Sequence, residues 1–224
     1  MRTKILLSAV AALALGLTSS NAQVYSANVV GYYTLSLTNG YNLIANQLDV
    51  DGTGTNNTYK TVFPNGLPGS SKILAFNPTN STYPAITYVT PTLLSGAANT
   101  NYVNPALAPG RGVFVFIPPS VTTPTNYVVV GTVMQGNLVT PLYHGFQIAS
   151  SEIPISGGIQ TVLGYVPGHG DKAYQWVATS QSYPVIRSWV AGTTWTPSQP
   201  APAIGEAVFL TTTNNAWSTN FTVQ

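Results

Sequence analysis

The 224-residue chain has no cysteine and very little charge. Without cysteine, disulfides, thiol chemistry and thiolate metal sites are excluded together, so a folded domain must be held by its core. Lys, Arg, Asp and Glu make up 5% of the residues, against about 25% in ordinary globular domains. Imidazole is nearly absent as well: His144 and His169 are the two histidines. Neither lies in a His-x-x-x-His or Gly-x-Ser-x-Gly pattern. His144 precedes Gly145 and His169 precedes Gly170, which reads as turn.

Long apolar runs are also missing except at the start, where Ile5 through Leu17 is an unbroken run of apolar and small residues. Arg2 and Lys4 precede this run, and Ser20-Asn21-Ala22 places small residues where a signal peptidase cuts. Residues 1–22 therefore read as a secretion signal, too short for the roughly 20 apolar residues of a comfortable membrane span. Cleavage would remove Arg2 and Lys4. Lys60, Lys72, Arg111, Lys172 and Arg187 then stand against Asp49, Asp51, Glu152, Asp171 and Glu206, and the mature chain is neutral. That excludes the basic footprint of nucleic-acid binding, and removes the net charge that keeps soluble proteins apart. The expected location is extracellular or at the cell surface, with the periplasm as the alternative and no transmembrane anchor in the mature chain.

What the chain has instead is a text written twice. Gly40–Ala45 matches Gly145–Ser150 at an offset of 105. Thr61-Val62-Phe63, Lys72, Phe76 and Tyr83-Pro84 match Thr161-Val162-Leu163, Lys172, Trp176 and Tyr183-Pro184 at 100. Gly110–Val115 matches Gly205–Leu210 at 95, and Thr125-Asn126-Tyr127 matches Thr219-Asn220-Phe221 at 94. An offset that shrinks in steps is the behaviour of loop deletions between retained elements. The repeat length is that of a domain, not of a short-period solenoid.

Within each copy the periodicity is that of strands. Tyr32 to Leu37 alternates, and Val113–Ile117 and Tyr127–Val133 are β-branched and aromatic runs bounded by Gly, Pro and Asn clusters. Short helical turns are expected at Asn57–Phe63 and at Ile159–Leu163. The predicted fold is all-β: two homologous tandem units, sandwich- or barrel-like, at 23–130 and 131–224. The segment 127–139 should close the first and open the second, with no linker between them.

Two candidate sites follow. Asp49-Val-Asp51-Gly52-Thr-Gly54 resembles the start of a calcium loop, which gathers oxygens around one hard cation. Lys60 occupies the place of the closing bidentate Glu, and the second copy has Pro154–Gly158 there. The competing reading is a polar loop feeding a helical turn capped by Asn56 or Asn57. Trp195 and Trp217 lack aromatic counterparts in the first copy, which makes them the candidates for exposed rings that stack on sugars. Aromatics present in both copies, such as Tyr83 and Tyr183, read as scaffold. Glycoside hydrolysis needs two opposed carboxylates. Glu152, Asp171 and Glu206 replace Gln47, Ser71 and Arg111 of the first copy, and their spacing reads as surface charge.

Val24 to Tyr32 directly after a signal peptide, the Gly40–Asn46 strand and the Pro109–Val115 strand resemble those of uncharacterised secreted proteins of verrucomicrobial-type environmental bacteria. Val113 and Val208 depart from that pattern, which has Phe. The resemblance implies secretion and duplication and carries no catalytic residues.

The expected function is therefore non-catalytic: a structural or interaction protein of the cell surface or extracellular matrix, pairing with itself or with other surface proteins. The stretch ending at Gln224 reads as an exposed strand edge that would pair head-to-tail. No cofactor is expected beyond calcium at Asp49 and Asp51. The alternative is a carbohydrate-binding module taking polysaccharide on Trp195 or Trp217.

Overall fold

A computed structural model describes residues 29–54, 57–88, 94–96, 107–122, 124–190 and 193–223. The expected signal segment, and Gln224 at the end of the expected strand edge, lie outside these residues. The fold is all-β. The first half contains β1 (Val30–Leu37), β2 (Gly40–Ala45), a one-turn helix α1 (Tyr59–Val62), β3 (Lys72–Leu74), β4 (Ala85–Tyr88), β5 (Leu94–Gly96), β6 (Gly112–Ile117) and β7 (Thr125–Thr132). The second half contains β8 (Gly136–Pro141), β9 (Gly145–Ala149), β10 (Lys172–Gln175), β11 (Ile186–Val190), β12 (Thr194–Thr196), β13 (Val208–Thr212) and β14 (Ala216–Phe221). Among the described residues no helix is long and apolar enough to cross a membrane.

The strands form two five-stranded antiparallel sheets, β2-β6-β3-β4-β5 and β9-β13-β10-β11-β12, and two ribbons, β1-β7 and β8-β14. Each sheet of one half has the strand order of the other. Segment 127–139 contributes to two strands: β7 pairs with β1, and β8 pairs with β14.

Alternation decides which side chains enter the cores. In β1, Tyr33, Leu35 and Leu37 point inward while Tyr32, Thr34 and Ser36 face out. They join Ile44, Ile73, Val115 and Ile117 in the first core. Leu138, Ala173, Val208, Leu210 and Trp217 belong to the second. β2 and β6 read as nearly continuous apolar runs because both of their faces are covered. Val113 and Val115 face the first core, while Leu43, Ala45 and Phe114 face a third cluster, shared with Ile148 and Ala207.

This third cluster is the seam between the halves, and its contacts come in pairs. Ile44 bridges Glu206 and Arg111 bridges Ala149. At the sequence offsets of 105 and 95, each bridge is the other with the halves exchanged. The same exchange relates the Ala45 N–H donating to the Gly205 carbonyl at 2.8 Å and the Ser150 N–H donating to the Gly110 carbonyl at 2.9 Å. It also relates Phe76 on Phe209, ring centroids 5.0 Å apart, and Trp176 on Phe114, 5.2 Å apart. Reciprocal contacts of this kind are the signature of an isologous interface.

The helical turns differ in detail from expectation. Thr58, not Asn56 or Asn57, caps α1, in a capping box with Thr61. Asn57 is committed elsewhere: its Nδ2 donates to Asp49 Oδ1 at 2.8 Å and its Oδ1 accepts from the Val50 N–H at 2.7 Å. The second expected turn closes through the Val162 N–H to the Gly158 carbonyl at 2.9 Å without becoming a helix.

Candidate functional site

The two tryptophans expected on the surface are in the core. Trp217 is 2% exposed and its Nε1 donates to the Leu163 carbonyl at 2.7 Å. With its one polar atom paired, the indole is free to fill the second core. Trp195 is 5% exposed, the direct cross-strand partner of Trp189 and packed beside Tyr165. It borders a shallow depression with Gln160 and Gln199 but offers no open face for a sugar ring. The expectation of exposed stacking platforms is corrected for both. They lack aromatic counterparts in the first half because the two cores are filled by different side chains.

The acidic loop is built from its own donors. Asp49 is buried, with Oδ2 accepting from the Gly54 N–H at 2.8 Å and Oδ1 from Asn57. Asp51 accepts from the Thr53 N–H at 3.1 Å and from the Thr53 hydroxyl. A cation would have to displace N–H donors from Asp49, and among the described residues no three His, Cys, Asp or Glu side chains gather around one point.

The remaining carboxylates are scattered. Asp171, read from sequence as surface charge, is 1% exposed. Its Oδ2 accepts from Tyr165 Oη at 2.5 Å, the Gly168 N–H at 2.7 Å and Thr212 Oγ1 at 3.0 Å, and its Oδ1 accepts from the Thr213 N–H at 3.2 Å. A buried charge is tolerable when donors surround it in this way. Burial, and then this carboxylate, push the Tyr165 hydroxyl well above its ordinary value. Glu206 ties a turn by accepting from the Ala203 N–H at 2.9 Å. His144 and His169 lie exposed in turns, where the positive φ falls on Gly145 and Gly170.

One place gathers charge, aromatic surface and space. A cleft of about 600 Å³ opens along one side of the seam, between the Phe76–Pro84 and Ala108–Val113 segments of the first half and β8–β9 of the second. Arg111, Gln147, Glu152 and Tyr143 line it together with Phe76 and Pro141. The Arg111 guanidinium stands over the Tyr143 ring, 5.7 Å from its centroid. Glu152 accepts from Thr140 Oγ1 at 3.0 Å. Burial raises the Glu152 pKa, outweighing the Thr140 hydrogen bond and the Arg111 charge that lower it.

The exchange-related place across the seam is different. There Glu206 stands for Arg111, Gln47 for Glu152 and Thr38 for Tyr143. Gln47 is fully buried, accepting from the Gly205 N–H at 2.7 Å and donating to Ser150 Oγ at 3.2 Å. Its amide closes what the carboxylate of Glu152 leaves open. From sequence, the Glu152-for-Gln47 and Glu206-for-Arg111 exchanges read as surface charge, and Tyr143 is not singled out. Side chains that differ in charge between matched positions of the two halves are the available signal. No family model, no curated protein and no solved structure matches this chain.

Proposed function

We propose that this chain is a secreted, non-catalytic interaction protein of the cell surface or extracellular matrix, which associates with copies of itself through the outer face of the β1–β7 ribbon. The observation that carries this reading is an apolar strip on that face. Val30, Tyr32, Val128 and Val130 all point outward, Tyr32 being 77% exposed. Tyr32 and Val130 are direct cross-strand partners. Scattered exposed apolar residues are ordinary, but a contiguous group on one ribbon marks an interaction surface. A second copy is the favoured occupant because a mature chain of zero net charge meets itself without repulsion. Among the described residues each ribbon strand has a single partner strand, with Thr132 also bridging Asp49, so other backbone groups remain for pairing. The halves, 23–130 and 131–224, are read as copies of one unit, a reading that the reciprocal seam supports. The resemblance to secreted verrucomicrobial-type proteins agrees with it.

Size-exclusion chromatography with light scattering on the mature chain tests the proposal. The expected result is concentration-dependent oligomers, insensitive to salt, that are lost in a Tyr32→Ser, Val130→Thr variant with unchanged circular dichroism. A wild-type protein that stays monomeric at high concentration overturns it.

A further inference from the structure

We propose that the seam cleft is a binding site for a small ligand carrying one carboxylate on a ring, with Arg111 taking the carboxylate and Tyr143 and Phe76 flanking the ring. The argument begins with the guanidinium. Among the described residues Arg111 makes no side-chain hydrogen bond, although its planar fork carries five donors. Its partner is instead the face of Tyr143. Such an arrangement holds the fork in place while leaving its N–H edge for a planar, bidentate acceptor. The surrounding walls are mostly apolar, with the rings of Phe76, Pro84 and Pro141 on them and Asn77 and Gln147 beside these. They suit a flat body better than a hydrated inorganic anion.

Two further observations narrow the class. Glu152 lines the same cleft and feels the Arg111 charge. A neighbouring carboxylate penalises phosphate or a dianion more than a monocarboxylate, which is selection by repulsion. The comparison across the seam supplies the second observation. A purely structural need would be met alike in both halves, yet the Arg, Glu and Tyr set stands on one side and Glu206, Gln47 and Thr38 on the other. The guanidinium without a hydrogen-bond partner, the aromatic flank and the cleft occur together.

An aromatic ring and a sugar ring both fit this chemistry, and the experiment separates the two sources. The full mature chain is titrated by calorimetry with 4-hydroxybenzoate and with galacturonate, each beside its methyl ester. Saturable binding of one acid, with its ester at least about tenfold weaker, is the expected result, since the ester lacks the charge-assisted pair. Arg111→Gln should lose about the same factor, Arg111→Lys less, because a point charge replaces the fork. Glu152→Gln should retain or tighten binding. Equal binding of acid and ester, unchanged affinity in Arg111→Gln, or no saturation by either acid overturns the proposal. The ester comparison uses wild-type protein, so it stands even if a variant folds poorly. The cleft and the β1–β7 strip are separate surfaces, and failure of self-association leaves this site intact.

Discussion

Glu152 and Gln47 occupy matched positions, and the difference between them is a test of electrostatics. Burial raises the Glu152 pKa in the folded chain, so the native state holds that proton more tightly than the unfolded chain does. By linkage, stability then falls as pH rises from the ordinary carboxylate range through the raised folded value. Glu152→Gln removes that titration and keeps an acceptor for Thr140. Its melting temperature should exceed that of wild type at pH 7, with the gap closing near pH 4 and below. Thermal melts across that range check it; a variant less stable than wild type at neutral pH would show that the Arg111 charge outweighs burial. Asp171 is the contrasting case, a carboxylate surrounded by donors and therefore part of the frame.

The sheets meet where β2 and β6 face β9 and β13, and the approach there depends on a glycine. A Cβ on Gly112 would lie 2.5 Å from both the Ala207 Cβ and the Ile148 Cγ2. Gly112 and Ala207 are exchange-related, so the seam has room for one methyl group at this point and not for two. Gly112→Ala should cost about 1–3 kcal/mol, the usual penalty for overpacking. Chemical denaturation measures it, and a neutral result would mean that the sheets slide apart easily. The double exposure of β2 and β6 to cores also explains their composition. A strand covered on both faces has no use for alternation, and the run from Val113 to Ile117 shows none.

The two halves are joined by main-chain bonds, paired aromatic contacts and a cluster of five buried residues. A seam of this kind should couple their unfolding. Calorimetry is expected to give one transition whose van't Hoff and calorimetric enthalpies agree. Two resolved transitions would show that each core melts alone. The near absence of charge bears on the same measurement. With few ion pairs to screen, stability and association should change little with added salt.

The strands, the turns and the matched blocks were legible in the sequence because each rests on local physics. Period-2 alternation follows from the pleat, turn chemistry follows from Gly, Pro and Asn, and a repeat is visible wherever residues recur. Thr58 rather than Asn57 caps the helix because Asp49 competes for Asn57, a contact between neighbours in the chain that spacing did not reveal. Burial of Trp195, Trp217 and Asp171 was decided by tertiary structure, since a side chain's exposure depends on what packs against its strand face. The cleft is the clearest example. Arg111, Tyr143 and Glu152 come from opposite sides of the seam, and no local pattern joins them until two apolar sheets close face to face. The sequence by itself determined the strands and the turns between them, because both rest on local physics; the packing of one half on the other decided which residues share a site.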